Sequence, residues 1–314
     1  MPRTAFVYHP DFLLHDTGSD HPERSARIRT ILKYLQQQPL WNKLVHFPPQ
    51  EASSSDLLRV HSQAHIDQVA GLNVSDRPIH VSGDTIGSNA TYRAALLAAG
   101  APIAAIDALL TDRADNAFCC IRPPGHHAEF DQIMGFCFFN NVAIAANYLR
   151  AECGVDRVAI IDWDVHHGNG TQHTFETDNS VFFFSIHQFP HYPGTGSARE
   201  RGLAEGQGST LNIPVKAGST DEDFLRHFEH DLAPALEVFK PQFILLSAGF
   251  DAHRNDPLGQ TLLSEDGYRS LTHRVRQMAE LHCNGRLISM LEGGYDLQST
   301  AQSIAVHLQA LMAD

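Results

Sequence analysis

Five short apolar runs in this chain each end in a polar or titratable cluster, and helical patterns separate most of them. Ala117–Ile121 runs into Arg122-Pro-Pro-Gly-His-His127, and Val158–Ile161 into Asp162-Trp-Asp-Val-His-His-Gly-Asn-Gly170. Val181–Phe184 ends in Ser185-Ile-His187, the run from Phe243 ends in Asp251, and the run from Arg286 ends in Glu292-Gly-Gly-Tyr295. Strand–helix alternation of this kind implies right-handed crossovers and a parallel sheet. In such a sheet the C-terminal strand ends share one edge, and ligands bind there. Residues spread from His126 to Tyr295 are therefore expected to meet in one crevice. No linker, repeat or low-complexity segment interrupts the pattern, so one α/β domain is expected over residues 1–314.

The densest cluster is the one after Val158. In an extended strand, residues two apart face the same way. Asp162, Asp164 and His166 are thus expected on one side, with Trp163 and Val165 on the other. Two carboxylates and an imidazole at a strand end form a metal-binding constellation with room for a further ligand. Asp oxygen and His nitrogen suit zinc, and also iron, cobalt or manganese.

Charge narrows the partners. The chain carries 36 acidic against 23 basic residues, a net charge of −13, and no Lys/Arg cluster. Nucleic acid and anionic membrane surfaces are disfavoured, while a cationic small molecule or basic peptide is attracted. The five cysteines form no C-x-x-C, and Cys119-Cys120 sits in an apolar run, which reads as buried free thiols in a reducing compartment. The N-terminus lacks a signal-peptide apolar region, and no apolar run is expected to approach 18 residues, so a cytoplasmic location is expected. The sequence sets no oligomeric state.

Elsewhere the pattern reads as a first strand at Thr4–Tyr8, with Pro22 and Glu23 opening a helix whose apolar stripe is Ile28, Ile31, Leu32 and Leu35. Ser82–Gly87 reads as a loop, Ala90–Leu110 as a helix, and Asp221–Phe239 as one helix ended by Lys240-Pro241. His61 and His65 stand four apart with no acid at metal-ligand spacing, and read as structural or surface histidines.

Asp164, His166 and Asp251 are the expected metal ligands. Two carboxylates and one neutral imidazole balance a divalent ion and leave positions open for water and substrate. A water whose pKa is lowered there is a nucleophile at neutral pH. His126 and His127, held at a Pro-Pro-Gly turn, suit proton transfer near pH 7. Tyr295 follows two glycines, and its phenol is placed to donate to an oxyanion. Hydrolysis of an amide or related carbonyl group follows. No Walker loop, G-x-S-x-G elbow or cysteine nucleophile competes with that reading.

These motifs, with Gly135-Phe-Cys-Phe-Phe-Asn-Asn141 between them, resemble the zinc-dependent histone deacetylase family, most of all its class II and bacterial amidohydrolase branch. The resemblance runs from Tyr8 to the last helix. It implies a three-layer α/β/α arginase–deacetylase fold with a mainly parallel sheet. It implies one catalytic zinc on Asp164, His166 and Asp251, with His127 as general base and acid toward the metal-activated water. His126 becomes its electrostatic partner, oriented by Asp162, and Asn169 stands beside His127 where class I relatives have an aspartate. Tyr295 polarises the carbonyl. Phe136 and Tyr192 line a tunnel for an acyl-lysine side chain, with Tyr where the family usually has Phe. Arg24 sits near the inner cavity. A structural potassium on Asp162, Ser185 and Ile186 is implied, with a weaker second one near Phe175, Asp178 and Val181.

The expected substrate is an acyl-lysine of a protein or peptide, or a similar N-acyl amine. The alternative is an acetylpolyamine amidohydrolase, whose relatives place an acid where this chain has Leu258. A catalytically silent interaction module is a remoter alternative, and so is a dimanganese hydrolase, which needs further carboxylate ligands.

Overall fold

The protein is described by a computed structural model covering residues 2–74 and 78–313. Its strands are β1 (Thr4–Val7), β2 (Val45–Phe47), β3 (Ile79–Ser82), β4 (Thr85–Gly87), β5 (Asn116–Cys119), β6 (Val158–Asp162), β7 (Val181–Gln188), β8 (Thr210–Val215), β9 (Phe243–Ala248) and β10 (Leu287–Leu291). Eight of them form one parallel sheet in the order β2-β1-β5-β10-β9-β6-β7-β8. The four central strands, β5, β10, β9 and β6, are buried along their whole length. Strands covered on both faces read as continuous apolar runs, which is why alternation is absent from them.

Helices Ala26–Gln36, Leu297–Leu311 and Glu265–Cys283 pack side by side as one outer layer, and Thr91–Leu110 packs with Asn141–Glu152 in the other. The result is the α/β/α sandwich expected from strand–helix alternation. Helix Thr91–Leu110 is long and apolar enough to cross a membrane by length and composition, but 72% of that window is buried inside the protein.

Several local expectations change. Strand β6 stops at Asp162, so Asp164 and His166 come from the bend beyond it and not from a continuing pleat. Ser82–Gly87 belongs to a hairpin: β3 and β4 pair antiparallel about Gly83, whose φ of +46° suits a two-residue turn. The helix from Asp221 is interrupted by a π-helical turn at Phe228–Leu232 before Ala233–Phe239. Pro234 lacks the N–H that an unbroken α-helix would use there. Glu23 does not cap a helix, since the helix begins at Ala26. It is buried between two arginines, 3.2 Å from Arg27 Nη1 and 2.6 Å from Arg122 Nε.

Candidate metal and catalytic centre

The bend after β6 meets the loop after β9. His166 Nδ1 stands 3.1 Å from Asp164 Oδ1 and 3.1 Å from Asp251 Oδ2. Ligand atoms of the three buried side chains lie within 4.8 Å of one another. Backbone N–H groups fix the carboxylates: Gly293 N donates to Asp164 Oδ2 at 2.8 Å, and Val165 N to Asp251 Oδ1 at 2.9 Å. Burial, then the charge of Asp164, pushes the Asp251 carboxyl up to about 7. Burial lowers His166, but hydrogen bonds to Asp164 and Asp251 raise it to about 10. Two buried carboxylates this close both stay ionised only with positive charge between them. The donor set of two oxygens and one nitrogen therefore fits a divalent cation.

The loop after β5 supplies the histidine pair. Arg122 anchors it, donating to Glu23 Oε1 and to the carbonyls of Phe12 and His15. His126 Nδ1 lies 3.0 Å from Asp162 Oδ2, at the end of β6. His127 Nδ1 lies 2.7 Å from Asn169 Oδ1, at the start of helix Asn169–Phe175. Burial lowers His126, yet the charges of Asp164 and Asp162 lift it to about 10. Burial, then the charges of His126 and His166, hold His127 well below its ordinary range. The pair is thus split into a proton holder and a neutral base, the arrangement that separates acid from base roles.

Tyr295 stands on the loop after β10. A side chain at Gly293 would place a Cβ 2.0 Å from Asp251 Oδ2, and Gly294 has φ +121°. The glycine pair is thus a close approach of backbone to the acid pair and not a plain turn. Arg27 Nε donates to Gly294 O at 2.6 Å, and its guanidinium lies 4.8 Å from the Tyr295 ring centre. Asp256 Oδ2 accepts from Tyr295 N at 2.6 Å. Burial holds the Tyr295 phenol well above its ordinary pKa, so it stays protonated and able to donate.

These groups open onto a cavity of ≈ 500 Å³ lined by His127, His166, Phe136, Tyr192, Leu258 and Tyr295. Phe136 packs edge-on to Tyr295 at 5.8 Å, and Tyr192 edge-on to His127 at 5.1 Å. Asp84 and His80, from the β3–β4 hairpin, line the same cavity, as do His21 and His191. His21 Nε2 lies 2.9 Å from Asp84 O, and Phe136 N donates to Thr85 Oγ1 at 2.9 Å, which ties the hairpin to the cavity wall.

One expected residue is displaced. Arg24 donates to Ser19 O and does not line the cavity, and Arg27 takes the inner position. Both lie near the helix start, but only Arg27 falls on its buried face. His61 and His65 are buried, stacked 4.6 Å apart, and bonded to Glu129 O and Phe138 O, so they are structural and not surface residues. Asp162 and Ser185 are paired across β6 and β7, with Ile186 next along, all buried. All five cysteines are free thiols, with Cys153 the least buried of them.

Three residues escaped sequence reading. Glu292 accepts from Gly125 N at 2.7 Å and His126 N at 3.2 Å, so it holds the histidine loop from below. Asp256 and Arg27 fix the Tyr295 loop. Glu292 stands directly before the glycine pair, and that adjacency was the available signal. Arg27 and Asp256 are marked by nothing in the sequence beyond their charge.

Residues 21–311 match the family model described as the histone deacetylase domain. The chain is 39% identical over 312 residues to a probable deacetylase of Archaeoglobus fulgidus, covering 99% of this chain and 86% of that protein. It is 37% identical to the human polyamine deacetylase HDAC10 over 99% of this chain and 48% of that protein. The crystal structure of the HDA15 HD domain superposes with a TM-score of 0.94 at 36% identity, covering 99% of this chain and 88% of that one.

Proposed function

This chain belongs to the histone deacetylase family, and we propose that its site hydrolyses the amide of an acyl-lysine in a protein or peptide. The observation that carries this reading is the meeting of Asp164, His166 and Asp251 with His127 and Tyr295 at one cavity. The donor set fits zinc, held by Asp164, His166 and Asp251. Bound there, zinc supplies a nucleophilic water at neutral pH and polarises the carbonyl oxygen.

The chain's own residues do the rest. His127, kept neutral, takes a proton through Nε2 and returns it to the leaving amine. His126 keeps its proton on the Asp162 side and offsets the negative charge that develops. The Tyr295 phenol donates to the carbonyl oxygen as it becomes an oxyanion. Phe136 and Tyr192 flank the methylene stem and exclude water from it. Asp162, Ser185 and Ile186 are the residues for a structural potassium, an idea supported by their buried pairing.

A polyamine substrate is the second reading, favoured by one feature. Leu258 is apolar, but Asp84 places a carboxylate at the cavity from a different loop, as a distal ammonium requires. The test is turnover of the zinc-loaded protein on acetyl-lysine peptides beside N-acetylated polyamines. Higher kcat/KM on the peptides is expected. Preference for the polyamines installs the second reading, and turnover of neither identifies a silent interaction module.

A further inference from the structure

Helix Asn169–Phe175 presents Asn169 and His173 one turn apart on the same face, and Glu129 lies between them. Glu129 Oε1 accepts from Asn169 Nδ2. His173 Nδ1 lies 2.8 Å from Oε1 and 3.0 Å from Oε2 of the same carboxylate. The Glu129 backbone is pinned as well, since its carbonyl meets His61 Nδ1 at 2.8 Å. Glu129 touches neither the metal site nor the cavity, and the reaction described above makes no use of it.

An asparagine side chain can present oxygen or NH₂ in the same place, and only its partners decide which. The other partners of this NH₂, His127 O at 3.4 Å and Met134 Sδ at 3.4 Å, are neutral acceptors and hold it more weakly than a carboxylate does. An ionised carboxylate can only accept. With Glu129 on one side, the NH₂ must face it and the oxygen must face His127 Nδ1, 2.7 Å away. An oxygen at Nδ1 requires a proton on Nδ1. The lone pair of the neutral ring is then on Nε2.

We propose that Glu129 is a positioning residue that sets the tautomer of His127 through the Asn169 amide, with His173 holding the Glu129 carboxylate in place. The proposal rests on His127 acting as the base. Where an aspartate beside a histidine imposes the tautomer by itself, an asparagine does so only if its amide is prevented from turning over. Glu129 prevents it.

The experiment compares the full-length zinc-loaded protein with Glu129→Ala, Glu129→Gln and the double variant Glu129→Ala/Asn169→Asp. Nitrogen NMR of ¹⁵N-histidine-labelled protein reads the His127 tautomer, the signal being assigned by its loss in His127→Ala. The wild type is expected to show the Nδ1–H form, and Glu129→Ala to lose it in part, with kcat lowered about 10- to 100-fold and KM nearly unchanged. Glu129→Gln keeps an accepting oxygen and is expected to retain the Nδ1–H form. The double variant is expected to regain it, because a carboxylate at residue 169 presents oxygen whichever way it turns. An unchanged His127 tautomer in folded Glu129→Ala overturns the proposal. Should Glu129→Ala not fold, Glu129→Leu takes its place as the variant without an acceptor, and an unchanged His127 tautomer in it overturns the proposal. Failure of the wild type to turn over any acylated amine would instead remove the proposed function, and the tautomer signal would still decide the role of Glu129.

Discussion

His126 and His127 are neighbours in sequence with ring centres 4.0 Å apart, yet their surroundings push their proton affinities in opposite directions. Burial disfavours charge on both. At His126 the charges of Asp164 and Asp162 reverse that penalty, and at His127 the charge of His126 adds to it. The surroundings therefore favour positive charge on the ring that faces Asp162 and disfavour it on its neighbour.

The Tyr295 hydroxyl is expected to matter most when the carbonyl oxygen carries negative charge. Tyr295→Phe should lower kcat by about 100- to 1000-fold, the usual effect of removing one oxyanion donor, with a smaller change in KM. Steady-state kinetics on an acetyl-lysine peptide checks this. Wild-type turnover would mean that the phenol takes no part.

Gly293→Ala tests the metal centre without replacing a ligand. A Cβ there falls 2.0 Å from Asp251 Oδ2 and 2.7 Å from Asp164 Oδ2. The carboxylates must move, so zinc content by elemental analysis and activity should fall together. Asp251→Ala should lose metal as well, by removing a ligand. Full metal occupancy in either purified variant would refute the assignment.

Glu23 gives a prediction for stability. Burial opposes its ionisation, but the charges of Arg122 and Arg27 win and bring its carboxyl down from 4.5 to about 2. A carboxyl whose pKa is depressed on folding adds stability that is fully present above its unfolded value, and lost as pH falls through the folded value. This contribution is therefore complete above about pH 5 and is lost toward pH 2. Glu23→Gln strands two buried arginines and should cost about 3–5 kcal/mol at pH 7, since breaking a buried pair leaves charge unmatched. Denaturant melts of both proteins should draw closer together near pH 3.

Leu258 and Asp84 bear on substrate choice. Leu258→Glu adds an acid at the cavity and should raise the ratio of acetylpolyamine to acetyl-lysine turnover. The lysine stem gains from apolar burial at roughly 0.8 kcal/mol per CH₂, and a second ammonium gains only where an acid meets it. Asp84→Asn should move the ratio the other way. A ratio unmoved by both substitutions would show that neither side chain meets the substrate.

The sequence made the convergence of the site legible because each chemical residue sits at the end of an apolar run, and a parallel sheet aligns such ends. Asp162 obeyed the two-residue alternation of a strand. Asp164 and His166 did not, because the strand stops, and their meeting with Asp251 depends on backbone donors at Val165 and Gly293. Whether Arg24 or Arg27 reaches inward turns on helix phase, and a helix start shifted to Ala26 decides for Arg27. Glu292, Asp256 and Glu129 act through long-range contacts to main chain or to an amide, which no local pattern encodes. The β3–β4 hairpin was missed because its strands are only four and three residues long, so periodicity is faint in them.

The strand order has a consequence for assembly. β10 is synthesised after the other seven strands of the sheet, is inserted between β5 and β9 and carries the Tyr295 loop behind it. Until it arrives, the middle of the sheet has a gap, the histidine loop lacks Glu292, and Asp164 lacks the Gly293 donor. A nascent chain can collapse around its earlier helices but cannot acquire partial activity, because contacts of such long sequence separation form late. Catalytic competence and completion of the sheet should therefore appear as a single event, and recovered turnover after dilution from denaturant should lag behind recovered helix signal.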